Sequence, residues 1–341
     1  MRYNRRDLIK TAGIASTVGL TGLAGCSGDG GDGGSTDGGS MEIPSFKLGH
    51  GLAAEEPLWL MDANPDLLDN WGNEYEAEFI QFDGNTPRFQ AFQAGEIQAG
   101  TVTSITSFFA VDRGLPLTIV ASITQETAEQ YATPLVANTD NDFALTEEGL
   151  DGKSIGICDF QASCHMWAAS AAQKVGLEPE ADVELVRVPF PTMPSAVAEG
   201  RVDAATMHQP FDASAMNQYD MEVKFDAVDI LEYDHDLLEV WFSTQFLNGN
   251  EEAVRMFLED YATAIEHYQE NTEEARGTIQ DAGFVQTPRE VYLNLPTMAT
   301  SARPLTDGLD NLNQRAVELG WIDEKVDTDL LYDLSYLPDS A

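Results

Sequence analysis

Residues 89–100 read FQAFQAGEIQAG, and this stretch decides the fold because it passes from helix to strand in one short run. The pattern predicts a helix over 86–94, with Pro87 suited to its first turn, and a strand over 99–103. Working outward, the same alternation recurs. Strand 46–50 precedes helix 57–63, strand 77–82 precedes the quoted helix, and strand 99–103 precedes helix 106–113. Apolar runs at 117–123 and 134–138 follow. The alternation then restarts with strands at 154–158, 183–188 and 204–207, each followed by a helix, at 163–175, 194–199 and 210–217. Strands separated by helices imply parallel sheets covered on both faces, and two such series imply an α/β fold with two lobes. The last third is different. Asn250 is placed as an N-cap, and Glu251 and Glu252 suit the positive end of a helix. Apolar residues from Val254 to Tyr268 follow helical spacing, and further helices are expected over 273–282, 288–295 and 309–319. A helical tail without strands, packed back on one lobe, is the expected arrangement.

Composition narrows the function. The chain has 341 residues, with 18 Lys+Arg against 58 Asp+Glu and a formal net charge of −40. Such an excess of acid excludes nucleic-acid binding through phosphate contacts and leaves no basic cluster for lipid headgroups. With 43% hydrophobic residues the chain still has material for a core, so it is not an acidic disordered tail. Scattered acids in this number suit a halophilic protein, in very high salt that screens their mutual repulsion.

The N-terminus reads as an address. Arg2, Arg5, Arg6 and Lys10 form a basic head, and 11–24 is a short apolar stretch of small residues. It is shorter than the ~20 residues of a spanning helix, so an export signal is expected. Residues 4–10, NRRDLIK, resemble a twin-arginine signal, and Leu23-Ala24-Gly25-Cys26 resembles a lipobox in which Cys26 is lipidated. Plain cleavage is the alternative. Residues 27–44, rich in Gly, Asp and Ser at their start, are then a tether, whose first part spans roughly 20 Å as a flexible coil. Gly28, Gly30 and Gly33 match G-x-G-x-x-G, but no strand or helix flanks them.

Catalytic motifs are missing: H-E-x-x-H, G-x-S-x-G and S-x-x-K do not occur. Gly152-Lys153-Ser154 lacks the first glycine of a phosphate loop, and the calcium-like start at Asp140 and Asp142 has Leu145 where glycine belongs. Cys158 and Cys164, with His165, admit three readings: a disulfide, expected first in an exported domain, two buried thiols, or a metal site. Polar turn residues cluster after the strands, at 49–51, 83–86, 103–106, 160–163 and 207–210. Ligands sit beyond strand ends in open α/β sheets, so these turns predict a cleft between the lobes. Of the histidines, His50 and His208 fall at strand ends and are candidate site residues, while His235 and His267 read as solvated.

Five stretches together resemble the solute-binding lipoproteins of ABC importers, in the sulfonate, nitrate, taurine and thiamine-precursor group. They are 89–100, 113–121 (RGLPLTIVA), 150–156 (LDGKSIG), 188–194 and 199–205 (EGRVDAA), in an order that covers about 46–271. The resemblance implies a type II periplasmic-binding-protein fold, with two α/β lobes, a hinge and a helical C-terminal region. Lobe 1 would hold 45–137 and 229–341, and lobe 2 would hold 138–228. It also implies capture of a small solute and delivery to an ABC permease and its ATPase, by a monomer lipid-anchored on the extracytoplasmic face. No cofactor, metal or catalytic residue is expected. Many relatives read W-E-P-F where this chain has His208-Gln209-Pro210-Phe211, which disfavours a cationic ligand. Helix N-termini at Thr86, Thr106 and Ser163 would hold an anion, a sulfonate or carboxylate, without any arginine. His50, Gly84, Asn85, Ser104, Gln161, His208 and Gln209 complete the polar set. Phe190 and Trp241, with Phe160 and Phe211, would give apolar walls. A pyrimidine-synthase-like enzyme and a sensory lipoprotein are the alternatives.

Overall fold

The computed structural model describes residues 43–341, so the expected export signal, Cys26 and most of the tether lie outside the described residues. Eleven strands there form two sheets. The first sheet has the order β11-β4-β10-β3-β1-β2, from β1 (Ser45–His50), β2 (Glu76–Gln81), β3 (Ala99–Thr103), β4 (Leu117–Glu126), β10 (His235–Ser243) and β11 (Ala299–Thr300). The second has the order β7-β6-β8-β5-β9, from β5 (Pro134–Asn138), β6 (Ser154–Ile157), β7 (Glu184–Arg187), β8 (Ala204–Thr206) and β9 (Met221–Asp226).

The expectation of parallel sheets is corrected to mixed ones. Strands β1, β2 and β3 are parallel, as are β6, β7 and β8, because helices connect them. β10 is antiparallel to both neighbours, β3 and β4, since it carries the chain back from the second sheet. β5 runs antiparallel to β8 and β9 for the matching reason: it brings the chain in. The chain therefore crosses between the sheets twice, after β4 and after β9.

The quoted stretch shows how local chemistry builds this. The helix Asn85–Gln93 stops at Ala94, and Gly95 adopts φ +75°, a left-handed conformation that ends helices cheaply when the residue is glycine. The Gly95 N–H donates to the Phe92 carbonyl and the Glu96 N–H to that of Ala91, closing the last turn. Gly100 is needed for a different reason. A Cβ there would lie 2.7 Å from Cζ2 of Trp241, so the indole on β10 packs on β3 only because position 100 has no side chain.

The C-terminal third is mostly helical, and Val254, Phe257, Leu258, Tyr261, Ile265 and Tyr268 of the helix Glu251–Glu270 are all buried. Two expectations there fail. β11 supplies a short strand that pairs with β4. Asn250 does not cap with its side chain: its Nδ2 donates to the Phe246 carbonyl instead, 3.1 Å away. Asp260 anchors the helix to the loop before β2, accepting from the N–H groups of Asn70 and Trp71 and from the Tyr75 hydroxyl at 2.9 Å.

Candidate functional site

Strand ends from both sheets meet around a cavity of about 60 Å³, room for only a few non-hydrogen atoms. The first-sheet wall comprises residues 51–53, Glu55, 82–85, Arg88, Thr103 and 237–238. The second-sheet wall comprises Cys158, Asp159, Ala162, Phe190 and His208.

The first wall is built around two buried ionisable side chains, Glu55 and Arg88, both held by Thr101. Glu55 begins the turn into the helix Glu56–Ala63 and accepts from the Gly51 N–H at 2.9 and 3.0 Å and from the Thr101 hydroxyl at 2.8 Å. Burial raises its carboxyl, opposed by the charge of Arg88 and by these hydrogen bonds. Arg88 projects from the first turns of the helix Asn85–Gln93 and is 4% exposed. Its Nη1 donates to the carbonyl and hydroxyl of Thr101 on β3, whereas its Nε has no partner. Burial lowers its pKa and the Glu55 charge raises it. Arg88 is the only Lys or Arg in the cavity wall.

The second wall carries no cation. Burial lowers His208 to about 3, so its imidazole is neutral at ordinary pH. Its Nδ1 lies 2.9 Å from the Thr133 hydroxyl. Phe190 stacks on Phe211 at 5.4 Å and meets the His208 ring edge-on at 5.3 Å. A disulfide joins Cys158 and Cys164 and ties the end of β6 to the first turn of the helix Ser163–Lys174.

Gly84, Asn85, Phe190 and His208 line the cavity. Thr86, Thr106 and Gln161, with Asn85 again, line a neighbouring opening of about 220 Å³ between the same walls. There they bind protein: Thr86 donates to Asp159 at 3.2 Å, and Thr106 donates to the Gln161 carbonyl at 2.9 Å. Arg113 Nη2 donates to Gln161 Oε1 at 2.6 Å, so these residues bridge the two walls. Ser163 is buried at the start of its helix, with Oγ lacking a partner.

The remaining candidates are held away from the cavity, and these expectations are corrected. His50 is packed against Phe284 and accepts from Trp59 Nε1 at 3.2 Å. Ser104 donates to the Asp236 carbonyl at 2.9 Å, and its neighbour Thr103 takes the wall position. Gln209 donates to the Pro296 carbonyl at 3.0 Å. Trp241 is a core residue, fully buried between Phe89 and Phe92, with Nε1 donating to the Thr101 carbonyl at 3.2 Å. His235, expected in solvent, is 1% exposed on β10. Glu55 and Arg88 were not among the candidates, although both line the cavity. The rarity of basic residues was the available signal: with 18 Lys+Arg against 58 Asp+Glu, an arginine next to a strand-end turn is conspicuous.

The family model described as NMT1/THI5 like matches residues 76–275, more than half of the chain. The chain belongs to the NMT1/THI5-like family. No curated protein sequence matches this NMT1/THI5-like chain. Among solved structures it is similar to the zinc-bound ligand-binding component of an ABC-type import system from Staphylococcus aureus, at 14% identity and TM-score 0.72, covering 87% of this chain and 99% of that one. It is also similar to the periplasmic aliphatic sulphonate-binding protein of Escherichia coli, at 18% identity and TM-score 0.69, covering 85% and 97%. The periplasmic nitrate-binding protein of Synechocystis matches at 14% identity and TM-score 0.70, covering 86% and 87%. These likenesses establish the periplasmic-binding-protein fold for this NMT1/THI5-like chain. Among its described residues, no group of three or more His, Cys, Asp or Glu side chains could hold a metal ion.

Proposed function

We propose that this chain is the extracytoplasmic solute receptor of an ABC importer, closing around a small organic anion and passing it unaltered to a permease and its ATPase. The observation that carries this reading is Arg88: a buried guanidinium with an unpartnered Nε, in the wall of a cavity between two sheets. Burying a charge in that way is costly unless something compensates it, and Glu55 and an incoming sulfonate or carboxylate both do so. A neutral imidazole and a stacked phenyl pair opposite supply hydrogen bonding and shape without a second charge. Small size suits a small solute.

The two sheets with their helices act as lobes that hinge at the two crossings; the first boundary, expected at 137, moves to before β5, which pairs within the second sheet. Cys26 anchors a monomer after twin-arginine export, and residues 27–44 leash it near the permease, raising its effective concentration there. The sulfonate- and nitrate-binding names of the structural neighbours favour transport over synthesis. Calorimetry with methanesulfonate, nitrate and acetate, in dilute and in multimolar salt, tests it. The expected result is saturable binding of at least one anion with no product formed. Turnover of a bound compound, or indifference to every anion, overturns it.

A further inference from the structure

Thr133 stands at the first crossing between the sheets, and its hydroxyl joins two buried groups. Its Oγ1 lies 2.7 Å from Oε1 of Glu126, the last residue of β4, and 2.9 Å from Nδ1 of His208. The Thr133 N–H donates to the second carboxyl oxygen, Oε2. Glu126 and Thr133 are fully buried and His208 is 4% exposed, so water does not interrupt the chain. Nδ1 is the ring nitrogen that the protein engages; Nε2 makes no hydrogen bond among the described residues, and His208 lines the cavity.

A hydroxyl has one proton to give. When Glu126 is ionised, its carboxylate takes that proton's hydrogen bond, and Oγ1 can only accept from an Nδ1–H. The neutral imidazole then has a bare lone pair at Nε2. When Glu126 holds a proton, Oε1–H donates to Oγ1, the hydroxyl donates to Nδ1, and the ring carries its own proton on Nε2. The proton that Glu126 loses goes to solvent, and the imidazole proton changes nitrogen. We propose that Glu126, acting through Thr133, selects the tautomer of His208, so that the cavity offers an anion a donor at Nε2 only while Glu126 is protonated. The consequence for binding rests on reading the cavity as an anion site. The tautomer switch does not.

Burial pushes Glu126 up to about 8; the Thr133 hydrogen bonds oppose this and the charges of Asp226 and Asp212 add to it. Asp212 is itself pushed up to about 6 by burial and accepts from the Tyr131 hydroxyl at 2.6 Å. Burial also raises Asp226 and, most strongly, Tyr131. His235, opposite Glu126 in the strand register, is lowered to about 4 by burial and is neutral. A carboxyl raised in this way keeps its proton at neutral pH and loses it as pH rises through about 8. Glu126 is therefore a positioning residue whose proton sets what the ligand meets.

Side-chain 15N–1H spectra of the full chain with labelled histidine, from about pH 6 to about pH 9.5, test the switch directly. The His208 signal is identified by its loss in H208Q. Wild type is expected to pass from the Nε2–H to the Nδ1–H tautomer with a midpoint near pH 8. In E126Q the amide donates to Oγ1 permanently, so the ring should stay Nε2–H throughout. T133S should keep the switch and T133V should lose it, which covers the case in which E126Q does not fold. One tautomer across the range in wild type, or an E126Q ring that switches as wild type does, overturns the proposal. Methanesulfonate, whose charge is constant over this range, gives the second readout. Its Kd should rise about tenfold from pH 7 to pH 9 in wild type and stay level in E126Q, the loss expected for one hydrogen bond to a charged acceptor. Failure of methanesulfonate to bind at pH 7 would count against the anion reading, while the tautomer spectra would still decide the switch.

Discussion

The two walls of the cavity are made differently. On the first-sheet side a guanidinium and a carboxylate are buried together and fastened to the same residue of β3, Thr101. On the second-sheet side the polar group is a neutral imidazole, beside a phenyl ring and a disulfide. The difference teaches a division of labour. On the proposed reading, charge is recognised by the wall whose ionisable side chains share one anchor, where misplacement of a desolvated ion would be costly. On the same reading, hydrogen-bond direction and shape are left to the second wall. A ligand held first by Arg88 would still leave the second wall free to close on it.

R88M gives the largest expected effect. It removes the only cationic side chain of the wall and leaves Glu55 buried without its counter-charge. Methanesulfonate affinity should fall about a hundredfold, the upper range for hydrogen bonds to charged groups. Stability should fall by about 3 kcal/mol, as when one partner of a buried pair is removed. Calorimetry and urea unfolding measure the two separately. Full affinity in R88M would move charge recognition elsewhere and end the distinction between the walls.

How much of this could be read beforehand depends on where the signal lies. Strand and helix positions up to β8 follow the sequence pattern closely, because parallel strands between helices are short apolar runs with polar turns. The expected strand 99–103 coincides with β3, and the apolar run 134–138 is the antiparallel strand β5. β10 was hidden because His235, Asp236 and Glu239 break its apolar run, although all three are buried. Their compensation comes from distant partners: Asp236 accepts from Ser122 and Gln125, and Glu239 accepts from the Tyr332 hydroxyl. No local pattern reports such contacts. The site divides in the same way. Gly84, Asn85, Phe190 and His208 were found from turns and motifs, since turns mark strand ends. Arg88 sits inside a helical pattern and Glu55 just before one, and their meeting at Thr101 depends on tertiary register. Trp241 failed for the opposite reason, because an aromatic residue near a crossing fits a pocket wall or a core equally well until Gly100 is seen beneath it.

Removing the disulfide probes the second wall at intermediate cost. C158S/C164S opens a loop with a sequence separation of 6, for which chain entropy predicts a loss of about 2 kcal/mol. Because Cys158 lines the cavity, affinity for methanesulfonate should also fall, by only a few-fold. Denaturation of wild type with and without reductant, beside the double variant, checks the first number. An affinity loss as large as that of R88M would mean that the stapled loop, and not the first wall, holds the charge.

The smallest expected effect belongs to Phe190. F190L keeps an apolar side chain against Phe211 and His208 but removes the ring that stacks at 5.4 Å, an aromatic contribution of about 1 kcal/mol. Affinity should drop roughly two- to fivefold. The pH midpoint of binding should not move, because Glu126 and Thr133 approach His208 through Nδ1, and neither of those contacts involves the phenyl ring. Measuring Kd at several pH values therefore separates the two jobs within one wall: a lower affinity with an unchanged midpoint assigns shape to Phe190 and hydrogen-bond direction to His208. A shifted midpoint would show that the phenyl ring holds the imidazole in place, and the second wall would then act as one unit.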